Sequence, residues 1–395
     1  MIWDAIVVGA GPAGSSTASR LADAGLTVAL LDRAVRPRPA VCGEFLSPGC
    51  QSLLADLGVL SLLRKQGRTL NGIQIHAPSG EELTAHYPRA AAPALSLRRS
   101  QLDPVLLEAA VCRGTQFFPG HQVSDVLFDD GAVQGVRAQR QGREVVLRGR
   151  LVVGADGRHS VVARRLGLVA TDPRLDKLAF IGYVERAERQ DDCAEIFLGR
   201  QRYAILNPVA PDLTNVGLVL NRREFRPGVD PACQFLEAAA TIPGLMPRLE
   251  HSRLLAPPRC LGPLAYRAQA VTASGAALVG DAAGFLDPFT GEGIHAGLRG
   301  GKLLARTAVR ALETAESPVL RTYATAWRQQ FLPKWRLCML FQHAIHRPVL
   351  AAWLVARLGR RPRLLERMMA VVGDLASPAS LRPEVLYARL LMPES

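Results

Sequence analysis

Three glycines near the N-terminus have the spacing of a phosphate-binding turn. Gly9, Gly11 and Gly14 fit the pattern G-x-G-x-x-G within the stretch GAGPAG. In such a turn the first glycine makes a tight bend, the second lets the backbone approach a pyrophosphate, and the third lets a helix pack closely on a strand. Asp32 follows about twenty residues later, where a carboxylate can accept hydrogen bonds from ribose hydroxyls. These residue types predict a dinucleotide site.

The elements that must position this turn can be recognised on both sides of it. The apolar pattern predicts a buried strand, a helix and a second strand, over Ile2 to Val8, about Pro12 to Ala24 and Thr27 to Leu31. Phosphates are stabilised at a helix N-terminus by its free N–H groups and its macrodipole. We therefore place Pro12, Ala13 and Arg33 in the predicted nucleotide site of one βαβ unit.

Two later segments also run from an apolar strand through small residues into a helix. In LVVGADGRHSVVARRLG the strand leads to Asp156 and Gly157, and in AALVGDAAGFLDPFTGEGIHAG it leads to Gly280 and Asp281. These motifs, in this order after the glycine turn, resemble the FAD-dependent group A flavoprotein monooxygenase superfamily, and within it the geranylgeranyl reductase-like branch. The resemblance covers residues 1 to about 330 and implies that FAD is the resident dinucleotide.

The resemblance assigns several side chains to FAD. Asp281 resembles the family acid that holds the ribityl or phosphate region of the cofactor. Asp156 with Gly157 resembles the pair that supports both FAD and a transient nicotinamide donor, NADPH or NADH. Arg99 resembles the arginine that reaches the FAD phosphates, and Arg98 is the alternative for this role.

Backbone contacts complete the predicted cofactor site. Val123 occupies the usual place for backbone contact with adenine in the family. In the segment PFTGEGI, Gly291 and Gly293 let backbone N–H groups at a helix N-terminus approach a flavin, where this positive end stabilises negative charge on the reduced ring. The segment AALVGDAAGF adds Gly280, and the segment PFTGEGI adds Pro288 and Ile294.

The stretch VCGEF, which follows the βαβ unit, resembles the CGE segment that passes over the flavin in geranylgeranyl reductases. The resemblance implies that Cys42, Gly43 and Glu44 line the flavin, while Cys50 lies outside the site. Either Cys42 or Glu44 is then a candidate for delivering a proton to substrate or flavin. In the alternative interpretation Gly43 permits close approach, Cys42 fills apolar space and Glu44 pairs with an arginine. His295 is a further candidate donor, with a surface or packed histidine as the alternative.

The remaining strand-like segments predict a second sheet. NGIQIHAPSGEELTAHYP is typical of a hairpin, with His76 and His86 on a solvated face, and three later segments have further strand patterns. The predicted fold is α/β: a Rossmann-type, glutathione-reductase-like FAD-binding domain with an inserted antiparallel β-sheet substrate domain and C-terminal helices. The predicted domains are 1–70, 96–175 and 262–330 for FAD, 71–95 and 176–261 for substrate, and 331–395 for the C-terminal helical region.

Composition and charge exclude several functions. The net charge is +13, but the arginines are spread along the chain among acids and only 6% of residues are aromatic, which is unlike a nucleic-acid-binding face. The seven cysteines are scattered without a C-x-x-C pair, which predicts a reducing compartment and no metal site.

No export signal precedes the first strand, so we expect a cytoplasmic protein. The basic, Leu-rich C-terminal helices favour either packed core helices or peripheral contact with a membrane surface. The oligomeric state has no signal in the sequence.

The loop motifs bear on the reaction. GDAAG followed by TGEGI resembles the prenyl reductases, whereas hydroxylases of the superfamily carry GDAAH and GQG. Halogenases carry a lysine after a GES segment and a W-x-W-x-I-P segment, and this chain has no such Trp pair. The resemblance favours flavin-mediated reduction, or the reverse dehydrogenation, of a carbon–carbon bond in a hydrophobic isoprenoid- or polyketide-like molecule. The alternatives are an NAD(P)H-dependent FAD monooxygenase that hydroxylates an aromatic or hydrophobic substrate and, from a different class, a non-catalytic prenyl-binding module.

Overall fold

The structure, a computed structural model, describes residues 1–35, 40–170, 176–185, 192–314, 319–345 and 347–381. Parts of the predicted domains fall outside these ranges, among them residues 382–395 of the predicted C-terminal region. The described strands are β1 (Ile2–Val8), β2 (Val28–Asp32), β3 (Phe45–Leu46), β4 (Arg68–Leu70), β5 (Gly72–His76), β6 (Glu82–His86), β7 (Ala94–Ser96), β8 (Gln116–Pro119), β9 (Gln122–Asp129), β10 (Ala132–Arg140), β11 (Arg143–Gly154), β12 (Val169–Ala170), β13 (Lys177–Glu185), β14 (Cys193–Leu198), β15 (Tyr203–Ala210), β16 (Leu213–Asn221), β17 (Arg253–Leu254), β18 (Arg259–Leu261), β19 (Tyr266–Ala268), β20 (Thr272–Ala273), β21 (Ala276–Leu278) and β22 (Gly284–Phe285). The described α-helices are α1 (Pro12–Asp23), α2 (Cys50–Asp56), α3 (Leu60–Gln66), α4 (Arg99–Cys112), α5 (Val161–Arg165), α6 (Pro231–Ala240), α7 (Leu245–Leu249), α8 (Gly293–Thr314), α9 (Val319–Ile345), α10 (Pro348–Gly359) and α11 (Pro362–Val372).

The first sheet has a parallel centre, which confirms the predicted α/β class. Its order is β20-β21-β11-β1-β2-β8, with the β9–β10 hairpin joined to β11. The strands from β21 to β8 in this order run parallel. Parallel strands covered on both faces are apolar along their whole length, and residues such as Ile6 and Leu30 are fully buried. This is the Rossmann-type arrangement that the glycine turn predicts.

Helix α8 packs closely on α1. A Cβ atom placed on Gly301 would lie 2.7 Å from Thr17 Oγ1, and one placed on Gly297 would lie 3.3 Å from Ala13 Cβ. Only small residues allow two helices to approach so closely. The contact brings the start of α8 next to the glycine turn at the start of α1.

The second sheet has the order β17-β13-β16-β15-β14-β5-β6, with β18 paired to β13. The sequence predicts an antiparallel sheet, but β5 and β14 run parallel. These two strands come from distant parts of the chain, so no hairpin turn fixes their relative direction, and a parallel pair needs a long crossover connection instead. The second sheet is therefore mixed. All its strands lie within 72–86 and 177–261, while the predicted domain boundaries themselves stay predictions.

The C-terminal helices cover one end of the second sheet. Helix α9 begins at Val319, earlier than the predicted start of the C-terminal region at 331, and Pro348 begins α10. Leu83 of β6 packs in one apolar cluster with Leu358 of α10 and Leu364 of α11. Within the described ranges, no helix combines the length and the apolar character that crossing a membrane requires.

Candidate active site

A cavity of about 640 Å³ lies between the strand ends of the first sheet and one face of the second sheet. The glycine turn, the end of β2, the start of α4 and the loop before α8 form one side of it. The opposite side is formed by alternate residues of the second sheet, Ile73, Ala179, Ile181, Ala194, Ile196, Ile205, Asn207, Asn215, Gly217, Val219, Arg259 and Leu261. A concave, largely apolar space with a few convergent polar groups is typical of a cofactor or small-molecule site.

The three glycines of the turn have different surroundings. A Cβ atom on Gly9 would lie 2.5 Å from the Ala155 carbonyl oxygen, and one on Gly14 would lie 1.8 Å from the Gly9 carbonyl oxygen. Both positions are therefore fixed by packing of the turn against its own sheet and helix. Gly11 lines the cavity, and a Cβ atom placed on it would have the Arg99 guanidinium as its nearest neighbour, at 3.6 Å. The open backbone at Gly11 is where a phosphate group can approach.

Asp32 stands at the end of β2, beside the turn. Its Oδ2 accepts a hydrogen bond from Ala10 N at 2.8 Å and its Oδ1 accepts one from Ala34 N at 2.8 Å. Each carboxylate oxygen has a further lone pair, so Asp32 can still accept from a ribose hydroxyl at the cavity wall. The neighbouring Arg33 is exposed and also lines the cavity.

The structure separates the two adjacent arginines. Arg99 begins α4, is held by Asp103 through hydrogen bonds of 2.6 and 2.8 Å, and points its guanidinium at the glycine turn. Arg98 is exposed, and its guanidinium lies 5.2 Å from the centroid of the Tyr183 ring in the second sheet. The structure therefore favours Arg99 over Arg98 for a phosphate role.

Two partly buried acids, Asp156 and Asp281, line the cavity. Asp156 Oδ2 accepts a hydrogen bond from Val161 N at 2.6 Å, and Asp281 lies in the short 3₁₀ turn Gly280–Ala282. Burial raises the pKa of both carboxyl groups, and for Asp281 the nearby Arg158 guanidinium opposes this rise. Pro12, Ala13 and Gly157, together with Gly280, Pro288, Gly291, Gly293 and Ile294, also line the cavity.

The loop that carries Cys42 and Gly43 is held from the second sheet. Asn207 Nδ2 of β15 donates to the Gly43 carbonyl oxygen at 2.7 Å, and Asn215 Nδ2 of β16 donates to the Cys42 carbonyl oxygen at 3.0 Å. Both asparagines are almost fully buried. The sequence analysis missed them, because two asparagines inside strands carry no local signal for contact with a loop far away in the chain. They fix the loop against the substrate side of the cavity.

The two predicted proton donors, Cys42 and Glu44, both line the cavity. Burial raises the pKa of the Cys42 thiol and of the Glu44 carboxyl group. Glu44 Oε1 accepts a hydrogen bond from the backbone N of Arg99 at 2.9 Å, and Cys42 Sγ accepts one from Glu44 N at 3.3 Å. Glu44 thus contacts the backbone of Arg99, whereas the alternative interpretation pairs it with an arginine side chain.

One further acid on the cavity wall, Glu292 in the segment TGEGI, is not among the site residues predicted from the sequence. It lies on the cavity wall between the two predicted flavin-binding glycines, and only 9% of it is exposed. Burial, offset in part by the Lys334 ammonium group, raises the pKa of Glu292 to about 7. The acidic residue type was visible in the sequence, but the burial and the distant lysine were not.

Other predicted residues lie elsewhere. Val123 is buried in the core of the first sheet and is not among the described residues that line the cavity. His295 is buried with Nδ1 3.2 Å from Asp374, away from the cavity lining, and burial lowers its pKa to about 4. His86 is exposed as predicted, but the prediction of a solvated His76 is wrong. The parallel pairing of β5 with β14 places His76 3.1 Å from Glu195.

The residues around the cavity fit FAD. Gly11 offers an open backbone beside the Arg99 guanidinium, as a diphosphate requires. Among the described residues, Asp156 Oδ1, Arg158 Nη2 and Asn207 Oδ1 are buried polar atoms on lining residues without a hydrogen-bond partner. Buried polar groups are normally paired, so a polar ligand accounts for them. A Rossmann-type sheet with this arrangement of residues defines a FAD-dependent flavoprotein of the oxidoreductase class.

Comparison with known proteins agrees with that class. The family model described as FAD binding domain matches residues 3–200. The chain belongs to this family, and the resemblance to the FAD-dependent group A flavoprotein superfamily is confirmed.

Individual relatives differ in the reactions that their names state. The chain is 25% identical to the 1H-pyrrole-2-carbonyl-(peptidyl-carrier protein) chlorinase of Pseudomonas fluorescens, over 98% of this chain and 96% of the relative. It is 29% identical to digeranylgeranylglycerophospholipid reductase 1 of Methanothermobacter thermautotrophicus, over 79% of this chain and 78% of the relative. The solved structure of the flavin-dependent brominase Bmp2 matches with a TM-score of 0.87 at 20% identity, covering 98% of this chain and 99% of that chain. This last likeness shows the fold alone.

Proposed function

We propose that the protein uses FAD to reduce, or in the reverse direction to form, a carbon–carbon double bond in a hydrophobic, isoprenoid- or polyketide-like molecule. The observation that carries the proposal is the apolar face of the second sheet opposite the predicted FAD residues. Its polar members Asn207 and Asn215 already donate hydrogen bonds to the loop at Cys42 and Gly43. What remains for a substrate on these strands is mostly aliphatic side chains and glycine, together with Arg259 of β18 and the Asn207 Oδ1 atom. This largely apolar surface favours an apolar molecule.

The chain's own residues hold the cofactor and keep water out. The glycine turn and Arg99 would bind the diphosphate, Asp32 the ribose, and Asp156 and Asp281 the middle of FAD. When bound, FAD supplies two-electron hydride chemistry, and NADPH or NADH is the proposed source of the electrons. The sheet and the CGE loop exclude water from the reacting face, which strengthens polar interactions there.

Reduction of a double bond also needs a proton, and buried acids on the cavity wall can hold one. Cys42 and Glu44, the two proton donors predicted from the sequence, are candidates for this role, because burial raises the pKa of each and so favours the protonated form. A group that stays protonated near neutral pH can act as a general acid in the reductive step.

The relatives support two different reactions. The name of the archaeal relative states reduction of an isoprenoid lipid, which agrees with the apolar sheet face. The chlorinase matches over more of this chain, and its name states a reaction other than reduction. Hydroxylation by an NAD(P)H-dependent FAD monooxygenase stays the second candidate. Halogenation is less supported, because no lysine is found among the described residues that line the cavity.

The test is an anaerobic incubation of the FAD-loaded protein with NADPH, NADH or dithionite and a panel of isoprenoid and polyketide alkenes. We expect one substrate class to gain roughly two mass units, the increment of a hydride plus a proton. Incorporation of labelled dioxygen, with no turnover in its absence, would replace this proposal with hydroxylation. A colourless purified protein that takes up no flavin would instead indicate a non-catalytic binding module.

A further inference from the structure

A buried cluster of charged groups connects the cavity wall to the C-terminal helices. Glu292 lies just before α8, Lys334 lies in α9, and Asp374 follows α11. His295 of α8 and Ser47 complete the cluster. Of these five residues, Glu292 is the one that lines the cavity. The other four residues of the cluster are therefore not part of the cavity lining.

The hydrogen bonds of the cluster converge on Asp374. Lys334 Nζ donates to Asp374 Oδ1 and also to the Val372 carbonyl oxygen at 3.2 Å. Ser47 Oγ donates to Asp374 Oδ2 at 2.6 Å, and His295 Nδ1 lies 3.2 Å from Asp374 Oδ1. Glu292 Oε2 is 3.6 Å from Lys334 Nζ, beyond the distance of a good hydrogen bond.

The charges in this cluster do not balance when both acids are ionised. Burial lowers the pKa of His295 to about 4, so this histidine is neutral near pH 7. Two carboxyl groups then share the single positive charge of Lys334. An uncompensated charge is costly in a buried site, so one of the acids holds a proton. Asp374 receives the short hydrogen bonds that stabilise a carboxylate, which leaves the proton on Glu292.

The structure also distinguishes Glu292 from the two proton donors predicted from the sequence. Cys42 Sγ and Glu44 Oε1 both accept backbone hydrogen bonds, from Glu44 N at 3.3 Å and from Arg99 N at 2.9 Å. Those bonds hold the CGE loop and the start of α4 in place. The Lys334 ammonium group, 3.6 Å from Glu292 Oε2, can compensate the carboxylate as soon as it forms. At Glu44 the Arg98 and Arg99 guanidinium groups act in the same direction, but Arg99 is already held by Asp103.

We propose that Glu292 is the catalytic residue that donates the proton in the reductive step, and that Lys334 is a positioning residue that stabilises the carboxylate left behind. The inference rests on the proposed function. The Glu292 carboxyl O–H bond would break and a C–H bond would form at one alkene carbon, and FAD, when bound and reduced, would supply the hydride that the other carbon needs. The π bond supplies the electron pair for the new C–H bond, and Glu292 takes up a proton from solvent before the next turnover.

Several ionisable groups face Glu292 and set its pH dependence. Lys334 lowers the pKa of Glu292, whereas Asp374 and Asp287 raise it together with burial. Cys338 of α9 and His295 of α8 lie in the same surroundings. Because a general acid must be protonated to act, we expect turnover to fall as the pH rises above about 7.

The first experiment is an infrared difference titration of the FAD-loaded protein, which detects the C=O stretch of a protonated carboxylic acid without any turnover. We expect a band that is lost as the pH rises through about 7 in the wild type and is missing in Glu292→Gln. Glu195→Gln is the matched control. Glu195 is also buried and ion-paired, to Arg248 at 2.7 Å, but its neighbours Ala194 and Ile196 line the cavity while it does not.

The second experiment uses the alkene that the wild type reduces. We expect Glu292→Gln to keep its FAD content, its rate of flavin reduction and its KM, but to lose about 100-fold or more in kcat, the usual contribution of a general acid. Glu292→Asp should recover part of that loss. Lys334→Gln removes the compensating charge, so its fall in activity should move to higher pH, while Lys334→Arg should keep the wild-type profile.

The outcomes separate the two proposals. If the wild type reduces no alkene, the proposed function fails, whatever the infrared band shows. If the wild type reduces an alkene and Glu292→Gln keeps kcat within a few-fold with an unchanged pH profile, the assignment of Glu292 is wrong and the proposed function stands. A loss confined to Glu44→Gln or Cys42→Ala would move the proton donor to the CGE loop.

Discussion

The glycines of the nucleotide turn have two distinct physical roles. Gly9 and Gly14 have backbone atoms so close that any side chain would collide with the fold itself. Gly11 faces the cavity and has room for a Cβ atom, with Arg99 Nη2 3.6 Å away. A substitution at Gly11 therefore tests ligand binding, whereas a substitution at Gly9 or Gly14 tests folding.

We expect Gly11→Val to fold but to lose most of its FAD, because the added methyl groups occupy the approach to the turn and to Arg99. The flavin released on denaturation, measured by absorbance per mole of protein, reports the loss. Gly359→Val is a matched control, since a Cβ atom on Gly359 also has its nearest neighbour, Leu83, at 3.6 Å but lies outside the cavity. Full FAD content in Gly11→Val would contradict the phosphate assignment.

The raised pKa of the buried Glu292 also predicts how the stability of the protein depends on pH. Its pKa rises from 4.5 to about 7 on folding, so the folded state binds more protons than the unfolded state in that interval. Its contribution to the free energy of unfolding is therefore present at low pH and decreases as the pH rises through about 7, by about 3 kcal/mol in all. Glu292→Gln removes this term.

The measurement is urea unfolding of the wild type and Glu292→Gln at a series of pH values. We expect the difference between them to shift in favour of the variant by about 3 kcal/mol between the two pKa values. His295, whose pKa is lowered, has the opposite pH dependence in both proteins and cancels in the difference. A difference that stays constant with pH would show that the pKa of Glu292 does not change on folding.

At the residue scale, the sequence predicts what is encoded within one short segment. The glycine turn, Asp32 and Arg99 lie on the cavity because each depends on a motif with fixed local spacing. Asn207 and Lys334 could not be found in this way. Each reaches the site through a strand or helix from another part of the chain, and a single polar residue in such an element has no pattern.

At the scale of elements, Gly284 shows how a motif can report on packing. In the motif GDAAG, Gly284 stands where the hydroxylases of the superfamily carry histidine. In the structure a Cβ atom on Gly284 would lie 2.4 Å from Trp335 Cη2 of α9, and its φ is +153°. Gly284 is thus required by the way α9 packs on β22. This motif therefore bears less on the reaction than on the position of the C-terminal helices.

We expect Gly284→Ala to destabilise the protein by about 1–3 kcal/mol, because the methyl group overpacks the contact with Trp335 and the backbone conformation is strained. Thermal unfolding of the FAD-free protein measures the effect. Gly43→Ala is the control, since its Cβ atom would meet no atom within 4 Å. In a Trp335→Leu background the cost of Gly284→Ala should decrease. Equal costs in both backgrounds would show that Trp335 is not the cause.

Whether a segment forms a strand or a helix was easier to predict than which distant strand it pairs with. Local apolar patterns predict the strands around the glycine turn and the hairpin of β5 and β6, and the structure contains both. The parallel pairing of β5 with β14 depends on how two distant segments meet. It decides the burial of His76, which no local pattern indicates. Predictions from sequence therefore fail first where long-range pairing sets the surroundings of a side chain.

At the scale of the whole molecule, the C-terminal helices contribute Lys334 to the buried cluster at Glu292 and also provide an outer surface. Val349, Trp353 and Ala356 are exposed and lie at helical spacing on one face of α10, and Arg360, the next residue after α10, is exposed as well. Val349 is 85% and Trp353 is 41% exposed. Arg363 and Arg367 of α11 are also exposed nearby in the chain, and the net charge of the protein is +13. An apolar stripe with basic neighbours is typical of a surface that binds anionic lipid.

We therefore propose that this face of α10 contacts membranes, where an isoprenoid substrate would reside. Sedimentation with anionic vesicles should capture the protein at low salt, with weaker capture by zwitterionic vesicles and at high salt. Replacing both Val349 and Trp353 with Ser should weaken binding about tenfold or more, because burying one such side chain is worth about 1.5–3 kcal/mol. Leu62→Ser is the control, since Leu62 is also exposed, at 45%, but lies in α3. If the double variant sediments like the wild type, α10 is not the contact surface, and any capture then depends on the overall positive charge.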